Sequence, residues 1–198
     1  MVRPRVDTTV STRPAQPRPA QHRSGVAERA PGLQRVLGVL LVVQTVHATE
    51  HVAQFIQRYG YGEQFPQGLL GRWVNFEYLH LAMNGTVGLL LLAVFFGYRM
   101  YDPWWRRAMP RAWWAFVAAI AVEDGLHVPE HVVRLYQYLR YGWNPAPGIL
   151  GHTQFHGTGP VELVALHAIY NALVTGLLAA AFVAFGGVRD GRSNLRAP

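Results

Sequence analysis

The pentapeptide His47-Ala48-Thr49-Glu50-His51 sits inside a long apolar run, and eighty residues on His127-Val128-Pro129-Glu130-His131 sits inside another. Residues spaced i, i+3 and i+4 share one face of a helix. Each copy is followed by a second apolar run that carries a histidine and, four residues later, an asparagine: His80 with Asn84, then His167 with Asn171. Such a chain must gather polar groups on helices too apolar for water. The pattern predicts an all-α, integral membrane four-helix bundle built from two tandem two-helix repeats. Repeat 1 covers about 33–99 and repeat 2 about 112–186.

A run of roughly 20 apolar residues crosses about 30 Å of hydrocarbon. The expected helices cover about 33–58, 74–99, 112–141 and 160–185. Pro129 lies within the third, where a missing N–H and a clash with the Gly125 carbonyl predict a kink. The loop Gly68-Leu69-Leu70-Gly71 has its counterpart in Gly148-Ile149-Leu150-Gly151. The second loop then inserts His152-Thr153-Gln154-Phe155-His156, which reads as a polar loop. The four-helix domain spans 31–188. Residues 1–30, rich in Arg and Pro without apolar periodicity, are expected to form a disordered cytoplasmic tail, and 189–198 a short second tail.

Arginine placement sets the expected topology. The N-terminal tail, the connector with Arg99, Arg106, Arg107 and Arg111, and the C-terminal tail fall on one side if there are four spans. Both termini are then cytoplasmic, in a multi-pass protein of a bacterial cytoplasmic membrane. Arg58, Arg72, Arg134 and Arg140 are read as flanks of the outer loops, leaving no arginine near the middle of a span. Charged residues make up 15% of the chain, well below the roughly 25% of a soluble domain. Without cysteine, thiolate sites and disulfides are excluded. The net charge of +7 resides mostly in residues 1–35. It suits anionic membrane lipid, and without a nucleic-acid-binding fold signature no nucleic acid partner is expected. Partner membrane subunits or a homo-oligomer are compatible with the apolar, aromatic exterior.

The histidines agree in depth. His47 and His51 lie toward the outer end of the first helix, and His80 lies about 9 Å down the second from the same side, at 1.5 Å per residue. His127, His131 and His167 fall at matching depths. Carboxylates within spans mark function, because an unpaired charge in hydrocarbon costs several kcal/mol. The expected metal ligands are therefore His47, Glu50, His51, Glu77, His80, His127, Glu130, His131 and His167. They would hold a divalent transition metal, two ions in a dinuclear centre, with Fe or Cu favoured and Zn also suited to imidazole and carboxylate. Gln44 and Asp124, three residues before each motif's first histidine, are expected to orient imidazoles. Asn84 and Asn171 are expected to hydrogen-bond between helices.

Three resemblances bear on chemistry. His-x-x-Glu-His resembles the inverzincin peptidase pattern, which implies a glutamate general base; the placement in lipid speaks for another use. Glu77-x-x-His80 resembles the Glu-x-x-His of ferritin-like di-iron proteins, over one helix. Histidine boxes on membrane helices look like those of the membrane desaturases and hydroxylases, which implies non-haem di-iron chemistry. The expected function is an oxygen-activating membrane oxidoreductase with a non-haem iron or copper site near the outer side, acting on a small apolar or lipid substrate. The alternatives are a haem-binding electron-transfer subunit, with histidines as axial ligands, and a non-enzymatic metal-binding, transport or accessory subunit of a larger membrane complex.

Overall fold

The computed structural model describes residue 30 and residues 32–186, so the two expected tails lie almost wholly outside the described residues. Helix α1, Leu33–Phe55, continues into a π turn, Ile56–Gly60. Helix α2, Phe76–Gly97, starts at Asn75, whose side chain accepts from the Glu77 amide at 3.1 Å. That bond satisfies one of the helix's free N-terminal donors. The connector contains a short helix α3, Pro103–Ala108, begun by Asp102 accepting from Trp104 N at 2.8 Å. Helix α4, Pro110–Val122, leads through a second π turn, Glu123–His127, into α5, Val128–Tyr141, and α6 is Leu163–Gly186.

The break expected at Pro129 takes a specific form. Val128 N–H bonds to the Glu123 carbonyl, five residues back. A proline ring crowds the carbonyl four residues behind it. One extra residue in the preceding turn relieves that conflict, the usual form of a π bulge.

The all-α expectation needs one correction. Strands β1, Gly151–His152, and β2, Val161–Glu162, pair in parallel and close the loop inserted in the second half. The inserted residues are tied down locally: His152 Nδ1 lies 2.8 Å from Gly159 O, and His156 stacks on Trp143 at 4.7 Å.

Among the described residues, three helical stretches are long and apolar enough to cross a membrane: Leu33–Gly60, Glu77–Gly97 and Leu163–Gly186, with mean hydropathies of 1.4, 1.9 and 1.9. The stretch 110–141, expected as a span, is not among them. A π turn divides it, and it carries Glu123, Asp124, Glu130, Arg134 and Arg140.

Helix α1 packs against α6, α6 against α4, and α2 against α5. The inward stripe of α1 has the three- and four-residue steps of a helix face. It begins with Leu33, Leu37 and Leu40 and turns polar through Gln44, His47, Glu50, His51 and Gln54. On α6 the order reverses: His167 and Asn171 come early, followed by Val174, Leu178, Ala181 and Phe185. One end of the interior is therefore an apolar core, and the other is a polar layer. The outer faces are apolar, with Val39, Val42, Val46, Leu89, Phe96 and Val183 all exposed.

Candidate metal centre

Six imidazoles fill the polar layer, each at most 2% exposed. In the first half, the His47 and His51 ring centroids are 5.0 Å apart and those of His51 and His80 are 4.7 Å apart. The second half matches: His127 to His131 is 5.0 Å, and His131 to His167 is 4.6 Å. The two sets interlock, with His51 5.7 Å from His167 and His80 5.7 Å from His131, both pairs stacked. The depth argument thus brings together all six histidines singled out in the sequence.

The nitrogens converge. His47 Nε2 and His51 Nε2 are 3.1 Å apart, and His127 Nε2 and His131 Nε2 are 3.2 Å apart. Two imidazole nitrogens bound to one ion at about 2.0–2.1 Å stand roughly 3.0–3.4 Å apart, depending on coordination angle. Among the described residues, His127, His131 and His167 form a group whose ligand atoms all lie within 4.8 Å of one another. Nδ1 of His47, His51 and His131 is buried without a hydrogen-bond partner. A buried polar atom left unpaired costs about 1–3 kcal/mol, so the cluster is polar beyond what its own contacts satisfy.

The carboxylates have other partners. Glu50 accepts from the amides of Leu69 at 2.9 Å, Leu70 at 3.0 Å and Gly71 at 3.4 Å. Glu130 repeats this with Ile149 at 2.9 Å, Leu150 at 3.1 Å and Gly151 at 3.3 Å. Converging backbone N–H groups make a natural anion seat, and these bonds are charge-assisted. Glu50 and Glu130, expected as metal ligands, each form a clasp that ties the loop at 68–71 or 148–151 to the helix bearing the histidines. Gly68 and Gly148, at φ +71° and +82°, lie where any added Cβ would run into these carboxylates. Gln57 and Gln137 complete the clasps. Each donates to the Gly68 or Gly148 carbonyl at 3.0 Å and accepts from its amide at 2.8 Å.

Glu77 is also engaged. Arg134, fully buried, donates to Glu77 Oε1 at 2.8 Å, to the Ala146 carbonyl at 3.0 Å, and to His167 Nε2 at 3.2 Å. Arg134, expected as a loop flank, is thus buried among the residues expected as ligands. Arginine has no acceptor, so His167 Nε2 presents its lone pair to Arg134. Nδ1–H then donates to the Leu163 carbonyl at 2.8 Å. At the matching place in the first half, Gln54 Nε2 lies 3.1 Å from His80 Nε2.

The residues expected to support the imidazoles divide. Asn84 and Asn171 each donate back to the carbonyl of their own histidine, at 2.8 and 3.0 Å. Asn171 also accepts from Gln44 at 3.1 Å, the expected interhelical bond. Gln44 makes that bond, and one to Thr175 at 3.3 Å, rather than orienting an imidazole. The orienting residue in the second half is Glu123, not Asp124: its Oε2 lies 3.0 Å from His127 Nδ1. The π turn spends more than four residues per turn, which brings position i−4 under His127 where a regular helix favours i−3 about equally. Gln54, Gln57 and Gln137 were not singled out in the sequence, and Glu123 and Arg134 were not assigned to the site. The signal for Gln57 and Gln137 was there, since they keep the same spacing of eighty as the histidines.

A cavity of about 420 Å³ lies between the loops that precede α2 and α6, lined in part by Arg58, Phe65, Asn75, Pro145, Phe155 and Leu163. Phe65 and Phe155 stack at 5.5 Å across it. Beside Pro145, the Ala146 amide donates to Glu77 Oε1 at 3.3 Å, which joins this loop to the buried ion pair. Compared with protein-family models, characterised proteins and solved structures, the chain matches none.

Proposed function

We propose that this chain is an integral membrane metalloprotein of four spans in two tandem repeats, both termini cytoplasmic, whose six histidines hold one or two transition-metal ions near the outer side. The observation that carries the reading is the buried imidazole layer, with the His127, His131 and His167 ligand atoms within 4.8 Å of one another. The inside-out polarity supports the membrane setting. Histidine, glutamate, glutamine and arginine are buried, while valine, leucine and phenylalanine face outward. The stretch 110–141 follows the same rule, with Trp114, Leu126, Val132, Tyr136 and Leu139 exposed and Glu123, Glu130 and Arg134 inside. Its buried charges are compatible with a fourth span because they are paired or hydrogen-bonded.

The donor set favours copper over iron. Glu50, Glu77 and Glu130 are committed to loop amides and to Arg134, so the converging donors are imidazole nitrogens. Nitrogen donors bind late first-row ions best, with Cu(II) ahead of Zn and Fe(II). Haem is less suited, since a macrocycle between any two of these rings would displace the others. With a redox-active ion the activity would be oxidation of an apolar substrate by dioxygen, an external reductant supplying two electrons per oxygen atom inserted. A redox-silent ion would make the chain a carrier or accessory subunit.

The test is elemental analysis with an absorption spectrum on detergent-purified protein. One to two ions per chain without a Soret band is the expected result. His51→Ala and His131→Ala each remove most of the metal, and His22→Ala, outside the described residues, removes none. Full metal content in both motif variants would overturn the site. Metal-dependent oxygen consumption then separates the oxidase from the carrier.

A further inference from the structure

A groove of about 590 Å³ runs between α1 and α6. Its walls include Ala48, Ala168, Ala172 and Gly176, which are too small to fill it. Its mouth is open: Val52, Phe55, Ala172 and Gly176 are exposed. Its inner end is His51, which is 2% exposed and belongs to the imidazole layer.

The polar groups along the groove are not equivalent. Asn171 Oδ1 and Thr175 Oγ1 both accept from Gln44, so their polarity is turned away from a guest. His51 Nδ1 has no hydrogen-bond partner at all. The groove is thus an apolar passage ending at one unsatisfied, deeply buried imidazole. Its volume is that of an ordinary small-molecule site. Both flanking helices are among those long and apolar enough to cross a membrane, and the mouth lies on their outward faces. The medium at such a mouth is lipid hydrocarbon, which cannot hydrogen-bond and fills apolar space by van der Waals contact.

We propose that the groove between α1 and α6 admits the acyl chain of a bilayer phospholipid laterally, bringing its methylenes to the His51 imidazole. This rests on the membrane setting of the proposed function but not on the metal. In that setting the groove is the route by which an apolar substrate reaches the histidine layer without crossing water.

The experiment reconstitutes the full chain in nanodiscs with a phosphatidylcholine that bears a diazirine within one acyl chain. After irradiation, adducts are mapped by peptide mass spectrometry. Val42 and Leu89, 63% and 70% exposed, report contact with lipid. The expected result is labelling of His51 alongside Val42 and Leu89. Gly176→Phe plugs the mouth; a Cβ there meets nothing within 4 Å, so the backbone tolerates the change. It should cut the His51 adduct at least tenfold and leave the Leu89 adduct unchanged, and Ala172→Leu serves as a second plug should the first misfold. Labelling of Val42 and Leu89 without His51 overturns the groove, as does His51 labelling indifferent to both plugs, or seen only with an unesterified probe. Absence of label at Val42 and Leu89 overturns the membrane setting and this proposal with it.

Discussion

The halves 33–97 and 110–186 hold their histidines alike and their charges differently. Ring separations, loop clasps and the Asn-to-carbonyl bonds recur almost unchanged. The surroundings do not. Val43, Gln44 and Gln54 of the first half correspond to Glu123, Asp124 and Arg134 of the second, and Glu77 corresponds to Val164. Geometry is thus duplicated while electrostatics is divided. Arg134 of one half is neutralised by Glu77 of the other, so neither half is electrically complete alone. The lesson is that a twofold ligand set need not give two equal sites. In the second half, an ion at His167 Nε2 would have to displace a fixed cation, whereas at the matching place in the first half the side chain beside His80 is the neutral amide of Gln54.

The sharpest way to break this comparison is to remove the two unlike residues in turn. Arg134→Met leaves Glu77 as a buried, uncompensated carboxylate, which should cost about 3–5 kcal/mol. Gln54→Met removes a neutral contact and should cost about 1 kcal/mol. Unfolding in detergent measures both. Adding Glu77→Gln to Arg134→Met should restore most of the loss. Equal costs at 54 and 134, or no rescue, would mean the ion pair does not set the halves apart.

The clasps test the opposite limb, where the halves should behave alike. Glu50→Ala and Glu130→Ala each strand three loop amides, for a loss of about 3 kcal/mol at roughly 1 kcal/mol per bond. Thermal unfolding should give values within about 0.5 kcal/mol of each other, the scatter expected between independent sites. A large difference would show that one loop matters more to the fold than the other.

Much of this was legible in the sequence, and the boundary is physical. Spacing in a regular helix carries the facing of His47 and His51 and the depths of His80 and His167, because 3.6 residues and 1.5 Å per residue are fixed by the backbone. What spacing cannot carry is the competition for a carboxylate. Glu50 and Glu130 share a face with their histidines, yet three converging loop amides outbid that face, and those amides exist only once the loop has folded back. Arg134 was misread for a related reason. Its position near a helix end suggested solvent, whereas the long side chain reaches the Ala146 carbonyl and Glu77. Glu123 was not placed behind His127 because the π turn adds one residue to the helix there, and Pro129 signals a disturbance without fixing its form.

Glu123 sharpens the comparison at the proposed metal site. His127 has a carboxylate behind Nδ1, and His47 has no hydrogen-bond partner there. A carboxylate behind an imidazole fixes its tautomer and raises its basicity; its loss typically weakens binding 10–100-fold. Glu123→Leu should therefore lower copper affinity of the second half by that factor and leave the first unchanged. Competitive chelator titration would show one affinity class moving. A shift in both classes would mean the six histidines act as one site.

The smallest expected effect concerns the glutamines of the two clasps. Gln57→Ala and Gln137→Ala remove the same pair of bonds, at 2.8 and 3.0 Å in each half. On bond count alone each should cost about 2 kcal/mol. The second loop has extra support, however. The β1–β2 pairing and the Val161 N–H to Leu150 carbonyl contact at 3.4 Å hold it from the far side. Amide hydrogen exchange at Leu70 and Leu150, each bound to its glutamate, isolates that difference. Gln57→Ala should speed exchange at Leu70 more than Gln137→Ala speeds it at Leu150, because only the second loop stays pinned when its glutamine is gone. Equal acceleration would mean that the inserted segment, with His152 and His156, adds nothing to the clasp and that the two halves differ in charge alone.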